Sequence, residues 1–139
     1  MAIAFTTHRR VEFHDTDAAC LLHFAAYFTF MEEAEHELLR RLGLSVMMED
    51  EHGRLSWPRV SAHCDYAGSL KFEDEVDIAV SIERLGEKSV TFAFVFTREE
   101  QAVAAGKITT VCCRLTENGP PRSIPIPDAI RKKLAAAVG

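Results

Sequence analysis

Apolar positions change their spacing along the chain, and each change marks a new element. Between Ile3 and Phe13, apolar and β-branched residues alternate with polar ones in short stretches, the period-two pattern of a half-buried strand. From Phe24 the period lengthens. Phe24, Tyr27, Phe28, Met31, Ala34, Leu38, Leu39 and Leu42 recur at i, i+3, i+4, i+7 spacing for about five turns, and Gly43 stands where a left-handed C-cap is expected. This predicts one long helix with a wide apolar face and a solvated face carrying Glu33, Glu37 and Arg41 at spacings of four. Met48 to Pro58 is polar and turn-forming and reads as a loop. Four strand-like runs follow, Arg59 to Tyr66, Glu75 to Leu85, Ser89 to Arg98 and Val103 to Leu115, separated by the turn signals AGSL, LGEK and REEQ. The run SVTFAFVF is the plainest strand of the four. PDAIRKKLAAAV reads as a short terminal helix opened by Pro127 and Asp128. There is no internal repeat and no low-complexity segment.

Strand, long helix, then consecutive strands is an α+β order. A helix with so wide an apolar face needs a sheet to cover it. The expected architecture is a curved antiparallel sheet of about five strands wrapped around the helix, SVTFAFVF near its middle, with the outer edges available to another subunit. With 139 residues, 47% of them hydrophobic, the chain suits one domain spanning residues 1–139. A net charge of −5, with both signs mixed along the chain, excludes the concentrated basic face that nucleic acid requires. The longest uncharged stretch, Ala18 to Met31, is interrupted by His23 and too short to cross a bilayer, and MAIAFTTHRR lacks a signal-peptide core, so no membrane partner is expected. The four cysteines, Cys20, Cys64, Cys112 and Cys113, have no paired spacing, which points to reduced thiols in a cytoplasm.

The candidate chemistry lies in VEFHDTDAACLLHFAAYF, where Asp15 and Asp17 precede the helix. An aspartate there suits a cap or a turn. Yet Ala18 to His23 separate Asp17 from Phe24, too far for a simple cap. The alternative is acyl transfer. Unpaired N–H groups at a helix start can hold a carbonyl oxygen whose charge grows under attack, and a carboxylate can attack that carbonyl or activate a water. Glu35 falls among Phe24, Phe28 and Leu42 on the apolar face, so it needs a partner such as Arg59, or is itself a second active-site carboxylate. His14, Asp15, Asp17 and His23 match no metal-ligand spacing, so neither a metal nor a redox cofactor is expected.

The segments VEFHDTDAACLLHFAAYFTFMEEAEHELLRRLGLS, AHCDYAGSLKFEDEV, RLGEKSV and PRSIPIP resemble the 4-hydroxybenzoyl-CoA thioesterase family over nearly the whole chain. The most specific part runs from Asp15 through Asp17 to Tyr27. The resemblance implies the hot-dog fold and hydrolysis of an acyl-CoA to a free acid and CoA. It implies Asp17 as nucleophile or general base, the Phe24 amide as oxyanion donor and Asp15 shaping the loop; His23 reads as a pocket wall or hydrogen-bond donor beside the thioester, and Tyr27 as a substrate-binding residue. It also implies that Lys88 in GEKS and Arg122 in PPRS lie near the CoA phosphates, although each alone reads equally as a surface cation at a turn. Another branch of hot-dog thioesterases carries its carboxylate on the central helix, nearest Glu32 here, a weaker candidate than Asp17. The family forms dimers and often tetramers with active sites between subunits, so a homo-oligomer is implied.

One departure is Cys20, where family members usually have glycine. If that glycine uses a positive φ, Cys20 must strain the loop or redirect it. Its thiol has no paired histidine and reads as packing. Two other functions stay open: a non-catalytic acyl-CoA or acyl-carrier binding module, and a hot-dog hydratase or dehydratase, for whose Asp/His motif no segment matches.

Overall fold

SVTFAFVF is the middle of the molecule. A computed structural model describes residues 4–138. In it Ser89–Arg98 (β6) lies third in an antiparallel sheet of order β1-β5-β6-β7-β4, the others being Phe5–Arg10 (β1), Glu75–Leu85 (β5), Gln101–Val111 (β7) and Arg59–Tyr66 (β4). Alternation sets the inner face: Val76, Ile78, Val80 and Ile82 of β5, and Val90, Phe92, Phe94 and Phe96 of β6, are all buried. The helix Ala26–Arg41 (α1) is packed on the same core through Tyr27, Phe30, Met31, Ala34, Leu38 and Leu39. The close seat of α1 depends on Gly106 in β7, because a Cβ there would run into the Met31 thioether and stand 2.9 Å from the His63 carbonyl oxygen. The α+β, hot-dog architecture is thus as expected.

The helix ends as its sequence demands. Gly43 takes φ +76, its N–H donates to the Arg40 carbonyl, and the Leu44 N–H donates to the Leu39 carbonyl at 2.7 Å, a Schellman closure. Its start lies two residues beyond Phe24, and Phe24 is 64% exposed rather than on the apolar face, because a turn at His23–Ala26 precedes the first helical residue. The outer face is also less solvated than its spacing suggested. Arg9 of β1 reaches across to Glu33 and Glu37, and the Thr7 hydroxyl donates to Glu37, tying the edge strand to the helix. Burial opposes ionisation of Glu37, but the hydrogen bonds from Arg9 and Thr7 outweigh it and hold the carboxyl below its usual range.

Other boundaries shift. The first strand is shorter than expected: Ile3 lies outside the described residues, and Phe13 belongs to a single 3-10 turn, Phe13–Asp15. The expected loop holds a hairpin, Met48–Asp50 (β2) and Gly53–Ser56 (β3), in a small sheet with Cys113–Arg114 (β8) and Arg122–Ser123 (β9). Arg114 clamps it, with its guanidinium on the Asp50 carboxylate and the Gly53 carbonyl. The last long run divides at Cys112, whose backbone bonds Lys88 and Ile124 as the chain passes from the large sheet to the small one. Asp128–Ala135 (α2) forms as expected, with Pro127 at its N-cap.

Candidate active site

Residues 15–23 double back as a miniature antiparallel ribbon. The Asp17 N–H donates to the Leu21 carbonyl (2.8 Å), Thr16 faces Leu22, and the His23 N–H donates to the Asp15 carbonyl (2.9 Å). The Leu22 N–H, donating to the Leu70 carbonyl at 2.7 Å, fastens the ribbon to the body of the protein. At its tip Cys20 adopts φ +64, so the chain keeps the left-handed path that suits glycine, and the strain, on the order of 1 kcal/mol, falls on Cys20.

The two carboxylates have different surroundings. Asp15 accepts a hydrogen bond from the Glu12 N–H (3.0 Å) and, with Glu12, closes the reciprocal cap of the 3-10 turn; its side chain is mostly buried. This is the loop-shaping role expected of it. Asp17 is exposed. Its Oδ1 accepts from the Ala19 N–H (2.8 Å) and the Leu21 N–H (3.2 Å), while Oδ2 meets no donor among the described residues. One oxygen is fixed by the ribbon tip and the other is available to an incoming group.

The turn after the ribbon carries the amide chemistry. The His23 carbonyl accepts from the Ala26 N–H (2.8 Å), and the His23 ring Nδ1 accepts from the Ala25 N–H (3.0 Å). The Phe24 N–H has no acceptor among the described residues. It shares a peptide unit with the His23 carbonyl, so the bond that carbonyl accepts polarises the Phe24 N–H as a donor. Because Nδ1 is an acceptor, the neutral His23 ring carries its proton on Nε2, leaving His23 a second donor on an exposed ring. The Phe24 ring stacks on that of His23, centroids 4.6 Å apart.

Below the turn, Tyr27 is 2% exposed and packs edge-on against Tyr66 and tilted against Phe96. Burial, and then its neighbours Cys64 and Tyr66, push its phenol up to about 12, so it stays protonated. Within one chain Tyr27 lies buried beneath the turn. The Tyr66 hydroxyl donates to the Phe24 carbonyl at 3.0 Å. Sequence reasoning passed over Tyr66, since nothing in its strand-like surroundings links it to a residue 42 positions away.

The remaining candidates lie elsewhere. Glu35 is 1% exposed and its Oε2 accepts from Arg59 at 2.8 Å, the pairing its place on the apolar face required. Burial raises its carboxyl to about 7 although Arg59 pulls the other way. Glu32 stands 3.7 Å from the same guanidinium. Arg59 begins β4 and Tyr66 ends it, while Glu32 and Glu35 lie about 9 and 14 Å along α1 from its first residue. Lys88, in the turn after β5, and Arg122, in β9, are exposed. The ribbon lies by the start of β5 and Lys88 beyond its end, roughly 33 Å along that strand, while Arg122 lies in the small sheet. A groove of about 510 Å³ beside the helix start is lined by Arg9, Arg10, His14, Asp15, His23 and Glu33 among others, with Asp17 outside it. Among the described residues no three His, Cys, Asp or Glu side chains gather as metal ligands, and no helix is long and apolar enough to cross a membrane.

The sequence pattern of the thioesterase-like superfamily matches residues 11–134. The chain is 31% identical over 137 residues to the 1,4-dihydroxy-2-naphthoyl-CoA hydrolase of Synechococcus sp. (strain WH7803), covering 94% of this chain and 88% of that one. A gentisyl-coenzyme A thioesterase of known structure superposes with a TM-score of 0.79 at 29% identity, covering 94% of this chain and 99% of the other. 4-Hydroxybenzoyl-CoA thioesterase, in complex with 4-hydroxybenzoyl-CoA, superposes with a TM-score of 0.80 over 94% of this chain and 97% of its own, at 17% identity, a likeness of fold.

Proposed function

The chain belongs to the thioesterase-like superfamily and is a CoA-thioester hydrolase, and from that premise we propose that Asp17 and the Phe24 amide form its reacting centre, with an aromatic acyl-CoA as substrate. The observation that carries this reading is the pairing, on one ribbon and turn, of an exposed, half-anchored carboxylate with a polarised N–H that has no acceptor among the described residues. The thioester oxygen accepts from Phe24 N–H, which stabilises the negative charge that builds as the carbonyl carbon is attacked. Asp17 Oδ2 either attacks that carbon, giving an anhydride that water then opens, or takes a proton from the water that attacks. In both routes the C–S bond breaks, sulfur leaves as CoA thiolate, and one water is consumed to give the free acid. Two relatives named above act on ring-bearing acyl groups, and the exposed His23–Phe24 stack offers a flat face to such a ring.

A second copy of the chain completes the site. β4 is a sheet edge exposed along most of its length, and unpaired strand edges invite pairing. The separation of Lys88 and Arg122 from Asp17 supports a CoA arm that crosses to a neighbouring subunit, where those cations meet its phosphates. The four free cysteines support a reducing compartment, the cytoplasm.

The test follows thiol release from benzoyl-CoA, 4-hydroxybenzoyl-CoA and hexanoyl-CoA, with oligomeric state measured by light scattering. Faster release from the aromatic thioesters by a dimer or tetramer is expected. A monomer that releases thiol at full rate, or equal preference for hexanoyl-CoA, contradicts the proposal.

A further inference from the structure

Two internal hydrogen bonds, from the Ala26 N–H to the His23 carbonyl and from the Ala25 N–H to the His23 ring, shape the Phe24 turn but do not seat it on the body of the protein. The Phe24 side chain is 64% exposed and touches the His23 ring, which belongs to the same turn and moves with it. No side chain caps the N-terminus of α1, whose N-cap is Ala25. The backbone bond from His23 to Asp15 fixes the turn on its ribbon side. On the other side the contact is Tyr66, whose hydroxyl donates to the Phe24 carbonyl at 3.0 Å from the end of β4.

Tyr66 is well placed to act as a brace. Its ring meets Tyr27 edge-on with centroids 4.9 Å apart, and Tyr27 in turn packs against Phe96 of the central strand, so a line of three rings runs from the core of the sheet to the turn. Tyr66 is 44% exposed, so its hydroxyl could be satisfied by solvent and is instead aimed at a backbone carbonyl. Burial, with Cys64 beside it, raises the phenol above its ordinary value, so it remains a donor at neutral pH. A hydrogen bond to the Phe24 carbonyl fixes the plane of the following peptide and thereby limits rotation about Phe24. The Phe24 N–H belongs to the preceding peptide, whose His23 carbonyl is held by the Ala26 N–H, so restraining the following plane as well steadies its direction; an oxyanion contact is useful only within a few tenths of an ångström of its best length.

We infer that Tyr66 is a positioning residue for thioester hydrolysis, its hydroxyl bracing the Phe24 turn so that the Phe24 N–H points at the substrate oxygen. This rests on the Asp17–Phe24 reading proposed above. Tyr66 touches no reacting atom in this role, and its effect passes through the backbone of Phe24.

The decisive variant is Tyr66→Phe, which keeps the ring against Tyr27 and removes only the hydroxyl. Removing a whole oxyanion donor costs about 10²- to 10³-fold in kcat, so loosening one is expected to cost about 10-fold, with KM within about 2-fold and the melting temperature unchanged. A second readout uses benzoyl-CoA labelled with ¹³C at its carbonyl, bound to the Asp17→Asn protein. Adding Tyr66→Phe is expected to raise the carbonyl stretching frequency, since the bond from Phe24 N–H weakens. A purely structural role would not move that band. Wild-type kcat in Tyr66→Phe, an unshifted band, or a rise in KM alone overturns the inference. Asp17→Asn separates the two levels. If it is inactive while Tyr66→Phe is fully active, the brace fails and the reacting centre stands; if Asp17→Asn turns over like wild type, the reacting centre itself fails.

Discussion

Replacing Gly106 with alanine tests how tightly the helix that carries the site is seated. An ideal Cβ at this position would overlap the Met31 Sδ, stand 3.1 Å from Met31 Cε and lie 2.9 Å from the His63 carbonyl oxygen. Met31 is completely buried, so its thioether has little room to retreat, and the His63 carbonyl is backbone of the edge strand paired to β7. Overpacking of this kind costs about 1–3 kcal/mol, and the reduced freedom of alanine in the unfolded chain returns about 0.4–1 kcal/mol. The net loss is about 1–2 kcal/mol, which for a domain of this size lowers the melting temperature by about 3–8 °C. Because Met31 lies one turn beyond Tyr27, which packs beneath the turn carrying the proposed Phe24 donor, turnover is expected to fall as well. Calorimetry of Gly106→Ala, Met31→Ala and the double variant reads the contact directly. Met31→Ala alone costs about 2–5 kcal/mol through its cavity, and the double variant costs less than the sum because the new methyl enters that space. An unchanged melting temperature in Gly106→Ala, or strict additivity in the double variant, refutes the close seat of helix on sheet.

Two further outcomes follow from strained or buried groups. Cys20→Gly removes a side chain from a left-handed position, and thermal melts are expected to show a gain of up to about 1 kcal/mol, with thiol release retained; a loss of stability would mean that Cys20 is packed usefully despite its exposure. Glu35 has a folded-state pKa of about 7 against an ordinary 4.5, so the stability it contributes is fully present below the lower value and lost as pH rises through the upper one. A displacement of that size corresponds to about 3 kcal/mol. Urea unfolding from about pH 4.5 to 8 is expected to show this decline in the wild type and a flatter profile in Glu35→Gln, and parallel profiles would contradict it.

What the sequence disclosed depended on the range of each interaction. The central helix, its Gly43 closure and the three strands β4, β5 and β6 were legible because each is written in a local period or a local turn residue. The Glu35–Arg59 pair was legible for a different reason: a carboxylate on an apolar face must find a partner, and an arginine such as Arg59 suits it. The β2–β3 hairpin was missed because strands of three and four residues are too short to show a period. Phe24 fits the helical spacing, yet the turn before Ala26 swings it into solvent, and spacing alone does not register a turn that continues the same period. The ties from Arg9 to Glu33 and Glu37, and from Tyr66 to Phe24, join residues 24 to 42 positions apart and exist only once the chain has folded. Within the candidate site, Asp17 and Phe24 came from resemblance, whereas the ribbon that relates them is visible only in its hydrogen bonds.

The most direct test compares thiol release from an aromatic acyl-CoA by wild type and Asp17→Asn. Asparagine keeps the Oδ1 that accepts from the Ala19 and Leu21 amides, so the ribbon tip and the melting temperature are retained while the attacking or proton-accepting oxygen is lost. A fall in kcat on the order of 10³-fold is expected, within the range that such a group supplies. Turnover at the wild-type rate by a folded Asp17→Asn protein would contradict the assignment of this carboxylate to the chemistry.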